Sequence, residues 1–174
     1  MLEFIYLNFD LNTTDDESSF ISTEDELRAV FVEEMNEVLP SANKYLLQVV
    51  QTPSKAEALE HFRRLMHTIK GSGRTAGLQA TGELGWIAES LCNIVLDSAQ
   101  APSSELLKFL AAISKQLGQL HNTNYIEESN VDLVDWHRQA DDLHEILLAG
   151  DKGESGQSIA ARGDEELRQV FARE

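Results

Sequence analysis

Between Leu27 and Leu148 apolar residues recur at steps of three and four with polar residues between them, the spacing of helices that each bury one stripe. The first stripe is Leu27, Val30, Phe31, Met35, Val38, Leu39, Leu46 and Val49. It follows Ser22-Thr23-Glu24-Asp25-Glu26, where capping side chains and negative charge favour a helix start. Pro40 lies within the stripe and predicts a kink or a split, because proline cannot donate the helix hydrogen bond. Thr52-Pro53-Ser54 marks a turn, with Ser54 as the cap of a second helix that reaches about Arg74. Ala76-Gly77 interrupts the pattern. A third stripe follows, Leu84, Ile87, Ala88, Leu91, Ile94 and Val95, ending near Ser98. Ala101-Pro102-Ser103-Ser104 combines a breaker with capping residues, and Leu106, Leu107, Leu110, Ile113, Leu117 and Leu120 form a fourth stripe beyond it. Asn122 to Asn130 reads as a loop, and Val131 to Leu148 as a fifth helix.

Amphipathic helices joined by short turns can hide their stripes only against one another. The expected fold is all-α, an up-and-down antiparallel four-helix bundle with an additional C-terminal helix. The expected organisation is an N-terminal arm over residues 1–20, the bundle over 21–122, an accessory helix over 123–150 and a flexible linker over 151–163. The linker is rich in glycine, serine and charge. In residues 164–174, Glu166, Leu167, Arg168, Val170, Phe171 and Glu174 repeat Glu26, Leu27, Arg28, Val30, Phe31 and Glu34 at a constant offset. That match predicts the start of a second copy of the bundle, and a chain cut from a longer tandem protein.

The net charge of −16 repels nucleic-acid backbones and anionic lipid surfaces, so neither is an expected partner. No apolar run approaches the ~20 residues of a membrane-spanning helix. Met1 to Phe9 lacks the cationic start and cleavage site of a signal peptide. Cys92 is the sole cysteine, which excludes an intrachain disulfide and fits the cytoplasm.

The chemistry concentrates in the second helix. At about 100° per residue, Leu59, Phe62, Met66, Ile69 and Gly73 share the core side, and His67 points roughly 120° away from it. Arg63, Arg64, Lys70, Gly71 and Arg74 fall within about 60° of the direction of His67. The main positive patch of an acidic chain thus surrounds one imidazole, an arrangement suited to carrying a dianionic group. Gly71 leaves the ring uncovered. Two glycines inside a helix cost about 1 kcal/mol each against alanine, and room for a partner's approach is a reason to keep them.

His67-Thr68-Ile69-Lys70-Gly71-Ser72-Gly73 closely resembles the His-x-x-Lys-Gly-[Ser/Gly] motif of histidine-containing phosphotransfer (Hpt) domains. The similarity extends through Arg74-Thr75-Ala76-Gly77-Leu78, through Glu83 to Leu91 and through Glu26 to Glu34. It is nearest to the domains at the front of chemotaxis-type histidine kinases, particularly the tandem kind in chemosensory systems that control type IV pili. The resemblance implies that His67 is the phosphorylated residue, that Lys70 gives electrostatic support and that Gly71 gives clearance to a receiver domain. It implies that Glu89 holds the ring through its Nδ1 proton, leaving Nε2 free to attack phosphorus. Trp86 departs from the histidine found at its place in some chemotaxis kinases.

The implied activity is that of a phosphocarrier in a two-component relay, taking a phosphoryl group from a kinase domain's ATP or a phosphorylated receiver and passing it to a receiver aspartate. The chain shows no phosphate-binding Gly-rich loop, no Asp-x-Asp cluster and no nucleotide fold, so it cannot phosphorylate itself. It reads as a fragment of a chemotaxis-type kinase, with no cofactor of its own and magnesium expected on the partner. Arg63, Arg64, Gly73 and Arg74 are candidates for phosphate support or partner access. Trp86 and Trp136 read as packing residues, and His121, His137 and His144 lack the paired spacing of a helical zinc site. The alternatives are a scaffold that docks receivers without phosphotransfer, and a dimerisation module built from the fifth helix. The isolated domain is expected to be monomeric.

Overall fold

The computed structural model describes residues 23–150, and the expectations for the arm, the linker and the second copy lie outside them. Five α-helices are described: α1 (Thr23–Gln51), α2 (Ala56–Thr75), α3 (Gln79–Ser98), α4 (Ser104–Asn122) and α5 (Leu133–Gly150). One 3-10 turn, Glu128–Asn130, lies between α4 and α5. The expected all-α bundle is what forms. α1 packs on α2 and α4, α3 packs on α2 and α4, and α5 lies on α3. Phe31, Met35, Leu46, Phe62, Met66, Ile69, Leu84, Ile87, Leu106, Leu110 and Ile113 are sealed in the middle.

The helix ends differ from the expectation in instructive ways. Pro40 neither splits nor ends α1, because it sits on the exposed side, where an unpaired carbonyl can reach water. Ser54 stays in the turn closed by Lys55 N–H to Thr52 O (3.0 Å), and α2 starts after Lys55 without a side-chain cap. At the other end of α2, Gly77 adopts φ +74°, Gly77 N–H donates to Arg74 O (3.2 Å) and Leu78 N–H donates to Gly73 O (2.8 Å). These two bonds make the Schellman stop that only a left-handed residue permits, which is why the pattern breaks at glycine.

Ser103 caps α4 as expected, its hydroxyl accepting from Leu106 N–H at 3.2 Å. The N-terminus of α3 is capped from far along the chain: Glu128 Oε1 accepts from Thr81 N–H at 2.8 Å. The loop after α4 is thereby tied to the helix that carries Glu89. Tyr125 is buried in the same loop, edge-on to Phe31 at 5.1 Å.

α5 docks on the bundle. Ala140 and Leu143 are buried, and Trp136 lies 5.5 Å from the Phe109 ring of α4, the packing role expected for that tryptophan. Among the described residues no helix is long and apolar enough to cross a membrane.

Candidate phosphoacceptor site

α2 and α3 run antiparallel in close contact, and glycines set how close. A Cβ built on Gly73 would lie 3.1 Å from Gly82 N, and one built on Gly85 would lie 2.8 Å from Lys70 N and 2.9 Å from Met66 O. Helices that meet backbone to backbone bring their flanking side chains into register, so residues near 67 face residues near 89 and residues near 74 face those near 83.

His67 stands on this edge with 64% of its side chain exposed, and Glu89 reaches it from α3, Nδ1 and Oε1 lying 2.8 Å apart. The other carboxylate oxygen of Glu89 meets Lys70 Nζ at 2.6 Å. Burial pushes the Glu89 acid up, but the bonds from Lys70 and His67 outweigh it and hold the group below the ordinary carboxylate value. An ionised carboxylate can only accept, so Nδ1 carries the proton of this contact, and in the neutral form of the ring the lone pair is on Nε2.

The remaining cations are placed unequally. Lys70, which the motif implies as support for a phosphoryl group, is spent on Glu89 and mostly covered. Arg74 pairs with Glu83 at 3.1 Å, and Glu83 is shared with His137 of α5 at 3.2 Å. Arg63 is half-buried toward α3, where its charge partly opposes the burial that pushes the Cys92 thiol up. Arg64 is exposed, and neither Arg63 nor Arg64 has an ion-pair partner among the described residues. Gly71 opens to free space, since a Cβ there would meet nothing within 4 Å. Gly73 does not: it is buried against Gly82, so its missing side chain admits α3 rather than a visiting partner.

Leu27 and Val30 were expected in the core and lie outside it, 39% and 63% exposed. The α2 residues opposite them are Thr68, Gly71, Ser72 and Thr75, too short to cover a leucine and a valine. The result is a groove between α1 and α2, floored by Phe31 and Ala76, with His67 on its rim. Glu83, His137, Gly82 and Gly85 were absent from the expected site. Gly82 and Gly85 stand three apart beside the third stripe, the one sequence sign of a close helix approach there.

Residues 26–123 match the model of the Hpt domain family. The chain belongs to the Hpt domain family. Membership implies histidine phosphotransfer in a two-component phosphorelay, and Hpt domains generally interact with receiver domains. The chain is also 25% identical over 118 residues to the chemotaxis protein CheA of Listeria monocytogenes, and equally to that of Listeria innocua. The match takes in 68% of this Hpt chain and 19% of each CheA, so the chain spans about a fifth of those relatives. No solved structure matches the chain.

Proposed function

We propose that this Hpt domain is the phosphocarrier of a cytoplasmic chemosensory relay, with His67 as its phosphoacceptor. The observation that carries the reading is the exposed ring whose Nδ1 lies 2.8 Å from an ionised, buried Glu89 while Nε2 stays bare. In the forward step the Nε2 lone pair attacks the terminal phosphorus of a kinase-bound ATP in line, the N–P bond forms and the P–O bond to the departing ADP breaks. The ring then holds a proton on Nδ1 and a phosphoryl group on Nε2, so it carries positive charge, and Glu89 is placed to stabilise that charge. In the return step a receiver's aspartate oxygen attacks the phosphorus and the N–P bond breaks. The ring leaves as the neutral Nδ1–H imidazole it was at the start.

Magnesium for both steps belongs to the partners. The groove of Leu27, Val30 and Phe31 beside His67 supports docking of a receiver, because it offers apolar contact within reach of the ring and Gly71 leaves the approach open. Similarity to CheA supports a chemotaxis-type kinase as the source of phosphoryl groups. The repeat of Glu26 to Glu34 at Glu166 to Glu174 supports the tandem arrangement known from type IV pilus systems.

Incubation with a chemotaxis-type kinase domain and labelled ATP tests the proposal. The native domain takes up acid-labile, base-stable label and loses it to a receiver, and His67→Gln takes up none. Equal labelling of His67→Gln overturns the assignment of the residue. A native domain that binds a receiver yet never takes up label is a scaffold.

A further inference from the structure

The α2–α3 interface contains a device for which neither the phosphocarrier motif nor the bundle core accounts. At Gly85 the backbone of α3 lies directly on the turn of α2 that carries His67. The nearest atoms to an added Cβ are Lys70 N, Met66 O and Lys70 Cα, at 2.8, 2.9 and 3.2 Å. In an α-helix Met66 C=O and Lys70 N–H share one hydrogen bond, so Gly85 sits over the bond that spans His67. All three are main-chain or Cα atoms, and no side-chain rotation can move them aside. One turn toward the start of α3, Gly82 makes a looser version of the same contact. Its Cβ would meet main-chain atoms only at 3.2 Å (Lys70 O) and 3.3 Å (Arg74 N), and Arg74 Cγ, a carbon near the root of that side chain, at 2.7 Å.

Glu89 stands one turn beyond Gly85, and both of its oxygens are used on that same α2 turn, at 2.8 Å to His67 and 2.6 Å to Lys70. Bringing carbon to ordinary contact distance at Gly85 requires the helices to part by roughly 0.7 Å or more. Carried over to Glu89, that movement stretches its 2.8 Å contact to His67 to about 3.5 Å, longer than an ordinary hydrogen bond. We infer that Gly85 is a positioning residue for phosphotransfer: by letting α3 lie on the Met66–Lys70 turn, it brings Glu89 to His67 and sets which ring nitrogen is bare. The inference deepens the phosphocarrier reading, but its main readout needs no kinase and no phosphate, so the two can fail separately.

The test is the tautomer of the His67 ring, read from imidazole nitrogen shifts in the 15N-labelled domain. In the native protein the neutral ring carries its proton on Nδ1. In Gly85→Ala the major form reverts to Nε2–H, the form free histidine prefers, and labelling by the kinase slows by roughly tenfold, the effect of losing such an orienting carboxylate. Glu89→Ala produces the same reversal, and adding Gly85→Ala to it changes the ring no further, which a general loosening of the bundle would not reproduce. Gly118→Ala on α4, where a Cβ meets nothing within 4 Å, leaves the ring signals unchanged. If Gly85→Ala loses its helical circular dichroism, the same measurement passes to Gly82→Ala, which must move the ring in the same direction by a smaller amount. A folded Gly85→Ala or Gly82→Ala with the native tautomer overturns the inference, as does a further shift in the double variant.

Discussion

Glu89 is the residue on which the site turns, and its chemistry is a balance of opposed effects. Burial alone would raise its acid, and the bonds from Lys70 and His67 reverse that, leaving it below the ordinary value of 4.5. A carboxyl group held low when folded adds stability that is complete above its unfolded value and is lost as the pH falls through the folded one. Thermal unfolding followed against pH is therefore expected to show the native domain losing stability below about pH 4.5, while Glu89→Gln, which has no such proton to take up, shows a shallower loss. Equal slopes would mean that the pairing with Lys70 and His67 contributes nothing. Lys70 belongs to the same balance. Its ammonium is held at 2.6 Å by Glu89, so it acts on the ring first through that carboxylate.

At the scale of elements, the start of α3 depends on a distant part of the chain. Its first turn has no local side-chain cap, and Glu128, 47 positions on, supplies the acceptor for Thr81 N–H and places negative charge at the helix N-terminus. α4 solves the same problem locally with Ser103, three residues from its partner Leu106. Glu128→Ala and Ser103→Ala are each expected to cost about 1 kcal/mol. That corresponds to about 4 °C in Tm for a domain of this size. The two differ in what else moves: Glu128→Ala releases the loop that follows α4, and hydrogen exchange at Thr81 and across Glu128–Asn130 is expected to rise, whereas Ser103→Ala leaves both protected. Unchanged exchange at Thr81 in Glu128→Ala would show that the cap is not formed in solution.

At the scale of the molecule, α5 joins the bundle as a fifth element resting on α3. It buries Ala140 and Leu143, sets Trp136 against Phe109, and sends His137 to Glu83 and to within 5.9 Å of the Trp86 ring. Leu143→Ala is expected to cost about 2 kcal/mol, the low end of the range for a buried leucine because the site lies at the rim. Urea unfolding followed by tryptophan fluorescence, which reports Trp136 on α5 and Trp86 on α3, checks it. One shared transition at a lower midpoint is the expected result, and an early separate transition would make α5 an independent unit.

Helical stripes, breakers and caps are properties of neighbouring residues, and most were readable before any fold was known. The stripe of Leu59, Phe62, Met66, Ile69 and Gly73 is buried as its spacing demanded, and Ala76-Gly77 ends α2 because the stop needs one residue with positive φ. The motif from His67 to Gly73 was legible for the same reason, since rotation along one helix places His67 outside that stripe. Periodicity says which side of a helix is apolar but not how tall its neighbours are, so it assigned Leu27 and Val30 to a core that Thr68, Gly71, Ser72 and Thr75 are too short to close over them. Distances between helices were equally out of reach. That Gly73 meets Gly82, that Gly85 rests on the turn of His67, that Lys70 is committed to Glu89 and that Glu128 caps α3 depend on how closely separate segments approach. Only packing in three dimensions decides that, because the energy of a contact falls away within an ångström and nothing in the local chain encodes it.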